Sequence, residues 1–251
     1  VSAVRARRGE RHSLDTLMVK KGLVSSRQRA QAYIMEGKVW VNGTRVEKAG
    51  VRVEGDAEIE IKGEEFPYVS RGGAKLKRAL DHWGITVRGK VFLDVGSSTG
   101  GFTDCLLQHG AIKVYAVDVG YGQLAWKLKC DTRVVSLERS NIRYLTKETL
   151  KDDLDGAVID VSFISLRKVI PTVVALLKSD GEIIALIKPQ FEVGRGEVGK
   201  GGVVRDAGMH EKVIDEIASF SRSVALQVRG VIESPLVGPR GNREFLMYLK
   251  K

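Results

Sequence analysis

Apolar residues recur at helical spacing near the start of the chain. Leu14, Leu17 and Met18 lie at i, i+3 and i+4, and Gly22 ends that stretch. Ser25-Ser26-Arg27-Gln28 has the form of a capping box, with Ser25 as the cap and Gln28 reaching back. Ala30, Ile34 and Met35 carry the stripe on to Gly37, after which the period changes to two. Val39-Trp40-Val41-Asn42-Gly43-Thr44-Arg45-Val46 alternates about an Asn-Gly pair, a hairpin signal because both turn positions take positive φ. Ala57–Ile61 alternates apolar and acidic residues and predicts a further strand. Ahead of these, residues 1–12 show no hydrophobic period and carry Arg5, Arg7, Arg8 and Arg11, which reads as a mobile basic arm.

The stretch 63–70, with Pro67 in it, reads as a linker between a small α+β domain over 13–62 and a larger domain over 71–251. In the larger part strands alternate with helices. Val91–Val95, Lys113–Val117, Arg133–Leu137, Gly156–Val161, Glu182–Ile187, Val224–Val231 and Glu244–Leu249 are the predicted strands. Thr103–His109, Gln123–Lys129, Leu166–Lys178 and Asp206–Phe220 are the predicted helices. The alternation implies an α/β fold with a mostly parallel, doubly wound sheet of seven strands. The last two strands follow each other without a helix, as a terminal hairpin. That ending resembles Rossmann-like methyltransferases more than nucleotide dehydrogenases.

Charge adds a partner. Lysine and arginine number 41 against 31 acids, a net charge of +10. Residues 1–53 hold 12 of the bases and 4 of the acids, so +8 of that charge sits in the first fifth of the chain. A basic front end on a nearly neutral body suggests an electrostatic docking module for a polyanion, nucleic acid before anionic membrane. Cys105 and Cys130 have neither metal-ligand nor disulfide-framework spacing, so no metal site is expected and a reducing compartment fits. Apolar runs such as Val173–Leu177 fall far short of the roughly 20 residues that span a bilayer. No apolar segment follows the basic start as in a signal peptide, and a cytoplasmic location is expected.

Candidate chemistry begins at Phe92-Leu93-Asp94-Val95-Gly96-Ser97-Ser98-Thr99-Gly100-Gly101-Phe102, which ends one strand and opens a helix. The spacing fits neither the dinucleotide fingerprint nor the phosphate loop. Glycines permit close backbone approach. Asp94 precedes the loop, and Asp118 ends the next strand, where an acid holds a ribose diol. S-adenosylmethionine has a ribose and a zwitterionic tail but no pyrophosphate, so an acid-flanked loop suits it better than NAD. Asn141, in Arg139-Ser140-Asn141 after the third strand, is a candidate for its adenine.

Two resemblances sharpen this reading. The pieces S-L-D-T-L, S-S-R-Q-R-A and G-K-V-W-V-N-G resemble the alpha-L RNA-binding domain known from small-subunit ribosomal protein S-four. In such domains the second helix and the hairpin present bases to RNA, which here implies Arg27, Arg29, Lys38 and Arg45, with Lys20 and Lys21 beside them. Arg5, Arg7 and Arg8 would join them from the arm. D-V-G-S-S-T-G-G-F-T-D, V-I-D-V-S-F, I-K-P-Q-F-E and N-R-E-F resemble the FtsJ-type RNA 2′-O-methyltransferases, and with the front module the TlyA (haemolysin A) subfamily. The resemblance implies a Lys-Asp-Lys-Glu tetrad of Lys75, Asp160, Lys188 and Glu244. It also implies S-adenosylmethionine held by the loop Gly96–Phe102 with Asp94, Asp118, Asn141 and Asp160, and a cytidine ribose in ribosomal RNA or ribosomal subunits as target.

A ribose hydroxyl is a poor nucleophile, so an enzyme must align it and take up its proton; these effects contribute roughly 7–11 kcal/mol and ~10²–10⁴-fold. Lys188 is the candidate base. Burial and neighbouring positive charge lower its pKa while Asp160 and Glu244 raise it, so a role as a charged steering group stays open. The glycine-rich segment Val193–Gly202 reads as a mobile loop beside the site. Two other functions also remain open on the sequence. One is a pore-forming haemolysin, although no amphipathic spanning element is visible. The other is a non-catalytic RNA chaperone.

Overall fold

The computed structural model describes residues 10–24, 26–35, 37–48, 50–62, 67–194, 196–199 and 201–251. The chain divides into two units, Val1–Glu65 and Phe66–Lys251.

The small unit runs β1 (Arg11–Ser13), α1 (Leu14–Lys20), α2 (Arg27–Met35), β2 (Val39–Val41), β3 (Thr44–Val46), β4 (Arg52–Glu54) and β5 (Ile59–Ile61). β2 pairs with β3 and β5 in one antiparallel sheet, and β1 pairs with β4 in another. The hairpin tip carries φ +48 at Asn42 and +74 at Gly43, the conformations an Asn-Gly turn requires. Leu14, Met18, Ala30, Ile34 and Val39 are fully buried between helices and strands. Two local expectations change. Ser26 caps α2, its hydroxyl accepting the Arg29 N–H at 3.2 Å, and Ser25 lies outside the described residues. Arg11 and His12, assigned to the arm, pair with Glu54 and Val53 instead; a three-residue strand is too short to show a period. Arg5, Arg7 and Arg8 lie outside the described residues, as do 63–66 of the linker.

The larger unit opens with α3 (Gly72–Trp83), then β6 (Val91–Val95), α4 (Gly101–Gln108), β7 (Lys113–Val117), α5 (Trp126–Lys129), β8 (Val134–Leu137) and β9 (Leu154–Ile159). It continues through α6 (Ile170–Leu176), β10 (Leu177–Ile187), α7 (Pro189–Glu192), α8 (Ala207–Ser223), β11 (Gln227–Glu233) and β12 (Phe245–Lys250). The seven-stranded sheet has the order β11-β12-β10-β9-β6-β7-β8, with β12 antiparallel to both neighbours. β8, β7, β6, β9 and β10 are parallel. Their apolar faces are buried on both sides: Leu93, Ile159 and Ile183 in one core, Phe92, Val158 and Ile184 in the other.

α3 is not among the helices predicted from the sequence. Leu76, Ala79 and Leu80 form its buried stripe, and Gly84 at φ +62 ends it. The helix expected over Leu166–Lys178 is instead a 3-10 turn (Leu166–Lys168) followed by α6, with Pro171 in its first turn. The apolar residues after it continue directly into β10. α5 is shorter than expected. α8 runs on to Ser223, and Ala225 at φ +63 delays β11 to Gln227.

Candidate active site

Parallel strands end at one edge of the sheet, and the glycine loop leaves that edge after β6. Gly96 holds φ +82, and a Cβ there would lie 2.6 Å from the Asp160 carbonyl oxygen; only glycine lets the loop pass so close to the end of β9. Gly100 caps α4 at φ +93, where a Cβ would strike Leu128 at 2.2 Å. A Cβ on Gly101 would meet the Ser70 hydroxyl at 2.3 Å, so this glycine lets the start of α4 sit against the entry to α3.

Asp94, expected from its place before the loop to touch the cofactor, is fully buried. One carboxylate oxygen accepts the Thr103 N–H at 2.9 Å and the Thr103 hydroxyl at 2.6 Å. It therefore ties β6 to the first turn of α4, and acts on the loop from behind. Burial, together with the charges of Asp160 and Asp118, raises its pKa to about 7. Phe102 is likewise core, packed on the α3 side of the sheet. Asp118 stands at the crevice, half-buried, accepting the Ser98 N–H at 2.8 Å and the Gly120 N–H at 2.7 Å. Ser98 takes φ +48 and is exposed, whereas Ser97 is buried and Thr99 half-buried. Asn141 accepts the Arg143 N–H at 3.1 Å, and Ser140 N–H donates to the Asp118 carbonyl at 2.9 Å, which brings the end of β8 beside Asp118. Asp118 and Asp160 thus flank the glycine loop with carboxylates at the strand ends, while Asp94 braces it from behind. That donor set fits a cationic methyl donor with a ribose diol, and fits pyrophosphate poorly.

The four residues of the implied tetrad form two ion pairs. Lys75 on α3 and Glu244 before β12 are both buried, Nζ to Oε2 at 2.5 Å. Lys188, just past β10, lies 2.6 Å from Asp160 past β9 and donates to the Ser162 hydroxyl at 2.9 Å. Ile187 pairs with Phe245, so Lys188 and Glu244 are the next residues beyond that register. The Asp160 N–H donates to Val95 O, which brings the loop to the same edge.

Some residues at this edge were not singled out by sequence. Phe163 holds φ +63, is 90% exposed and packs against Phe191 in a tilted contact with ring centroids 4.9 Å apart. Its signal was its place in V-I-D-V-S-F, three residues after the aspartate. Asn242 accepts the Val204 N–H at 3.1 Å and donates to Gly202 O at 3.0 Å; Arg240 donates to Gly201 O at 2.6 Å. The far end of the segment read as a mobile loop is therefore latched to the connection that carries Glu244.

In the small unit two of the bases implied for RNA are committed elsewhere. Arg27 donates to buried Asp15 at 2.9 and 3.2 Å, alongside Gln31 at 2.7 Å. Burial alone raises the Asp15 pKa, but these hydrogen bonds outweigh it and hold it well below the carboxylate range. Lys21 donates to Ala57 O at 2.7 Å. Arg29 donates to the Tyr33 hydroxyl at 3.0 Å, Lys38 lies 5.2 Å from that ring's centroid, and Arg45 pairs with Glu47 at 3.0 Å. Lys20 is exposed.

The FtsJ-like methyltransferase family matches residues 68–251, and the S4 domain matches residues 13–59. The chain belongs to the FtsJ-like methyltransferases. This methyltransferase is 47% identical over 241 residues to YqxC of Bacillus subtilis, across 96% of this chain and 86% of that one. It is 44% identical over 241 residues to the 16S/23S rRNA (cytidine-2′-O)-methyltransferase TlyA of Mycobacterium tuberculosis, across 96% of this chain and 90% of TlyA. A solved structure from Streptococcus thermophilus, named a hemolysin, superposes with TM-score 0.77 at 43% identity, covering 96% of this chain and 88% of that one. The enzyme is an S-adenosylmethionine-dependent methyltransferase that acts on RNA. Among the described residues no helix is long and apolar enough to cross a membrane.

Proposed function

We propose that this FtsJ-like methyltransferase transfers a methyl group to the 2′-oxygen of a cytidine ribose in ribosomal RNA. One observation carries the reading: Lys75–Glu244 and Lys188–Asp160 meet at the sheet edge where the glycine loop begins. Bound S-adenosylmethionine supplies an electrophilic methyl on a positively charged sulfur. Gly96–Gly101 and Asp118 hold it, while Asp94 fixes the loop from behind. Lys188, held by Asp160 at 2.6 Å and by the Ser162 hydroxyl at 2.9 Å, receives the hydroxyl proton at Nζ. Lys75 and Glu244 hold the wall of the pocket, their charges mutually compensated in a buried setting. Phe163, tilted against Phe191 and otherwise open, offers a face to the target base. Arg29, Lys38, Lys20 and Arg45 of the small unit anchor RNA phosphates. The rRNA (cytidine-2′-O)-methyltransferase activity of TlyA from Mycobacterium tuberculosis supports the cytidine and the ribosomal target, and a ribosomal substrate implies a cytoplasmic location.

The test is methyl transfer from labelled cofactor to rRNA, with the modified ribose mapped. Lys188→Ala should abolish transfer and leave cofactor affinity unchanged. Lys188→Arg keeps the charge without a titratable amine: loss of turnover is expected, and substantial residual activity would assign Lys188 to steering instead. Erythrocyte lysis by purified protein that survives Lys188→Ala would favour a membrane activity.

A further inference from the structure

We infer that the loops after β7 and β8 form a second RNA contact on the methyltransferase unit, a stacking platform for unpaired nucleotides made of Tyr121–Arg139 and Tyr144–Arg143. The inference rests on RNA as the substrate, and is independent of which atom of it is methylated.

Four observations carry it. Tyr121 is 70% and Tyr144 75% exposed, so neither ring contributes much to the core. Each carries a guanidinium on one face: Arg139 lies 4.3 Å from the Tyr121 centroid and Arg143 5.4 Å from that of Tyr144. Neither guanidinium is hydrogen-bonded to a carboxylate among the described residues; Arg143 Nε donates to the Asn141 amide oxygen at 3.3 Å. Arg139 holds φ +54, an unfavourable conformation for an arginine, and its N–H is pinned to Gly120 O at 2.9 Å. The pinned backbone fixes Arg139 beside Tyr121, and Arg143–Tyr144 follows four residues further along the same connection.

An aromatic ring with a cation on one face and solvent on the other suits a nucleobase, which stacks on the open face while the arginine meets phosphate. RNA is the substrate of this enzyme, which favours a nucleobase over a protein side chain as the occupant of this face. The platform lies at the carboxyl ends of β7 and β8, the same sheet edge as the glycine loop but on the opposite side of it from Lys188. RNA leaving the target ribose would extend along this side.

The test uses the full chain and an end-labelled single-stranded RNA of about 12 nucleotides, within the ~4–16 that one such module covers. Fluorescence anisotropy without cofactor should show Tyr121→Ala and Tyr144→Ala each weakening binding about fivefold or more, with Tyr→Phe near wild type. Arg143→Gln should flatten the log–log salt dependence by about 0.7. Calorimetry with S-adenosylmethionine should give unchanged affinity in the Tyr144 variant. Unaltered RNA affinity in both alanine variants overturns the platform. A loss of cofactor affinity with RNA binding intact also overturns it, because the patch then belongs to the adenine site. Absence of ribose methylation in wild type would defeat the proposed reaction and leave this binding result standing.

Discussion

Lys75 and Glu244 are ion-paired at 2.5 Å across 169 residues of sequence, and both side chains are buried. Removing one partner strands the other charge out of water, at a cost of about 3–5 kcal/mol. Glu244→Leu or Lys75→Met alone should therefore lower stability by that amount in denaturant titrations. The double variant should recover most of it, but not methyl transfer. Additive losses in the double variant would show that the two charges are not coupled.

Asp94 gives a pH dependence whose sign differs from the usual carboxylate. Its pKa in the fold is about 7, above the ~3.9 of an unfolded aspartate. The fold therefore keeps a proton that the unfolded chain releases. The Asp94 contribution to stability falls as pH rises from about 4 to about 7, and is level above that. Asp94→Asn has no such slope, so its stability relative to wild type should improve across that window. Parallel profiles would refute the assignment.

Gly96→Ala places a methyl 2.6 Å from a backbone oxygen at φ +82. The left-handed conformation alone costs roughly 1–2 kcal/mol for a residue with Cβ, and the carbonyl cannot retreat without moving Asp160. Calorimetry with S-adenosylhomocysteine should show cofactor affinity severely reduced, whereas Gly122→Ala, also at positive φ (+71) but with nothing within 4 Å, should carry the conformational cost alone and lose far less affinity.

Arg27 is predicted to matter for folding more than for RNA. Its loss leaves buried Asp15 short of a charge-assisted bond, worth about 1.5–3 kcal/mol. Trp40 fluorescence, in a background with Trp83 and Trp126 changed to Phe, should report a less stable small unit in Arg27→Ala. The salt dependence of RNA binding should stay as in wild type; Lys20→Ala should flatten it.

The local sequence determined the period of each element, the Asn-Gly hairpin, the glycine loop, and the chemistry-bearing types at strand tips. These are nearest-neighbour properties: alternation reports which faces are buried, and glycine reports where φ turns positive. Phe92-Leu93-Asp94-Val95, for instance, reads as a strand buried on both faces, and is one. Period fails where an apolar run is common to helix and strand, as at Val173–Leu177, where Leu177 begins β10. Partner choice lay wholly in the tertiary structure. The insertion of β12 between β10 and β11 brings Glu244 next to Lys188 in register, and α3 delivers Lys75 to Glu244 rather than to Asp160. The burial of Asp94 behind its loop and the commitment of Arg27 to Asp15 were decided in the same way. Each depends on which segments, distant in sequence, exclude water from a given carboxylate, and no local spacing encodes that.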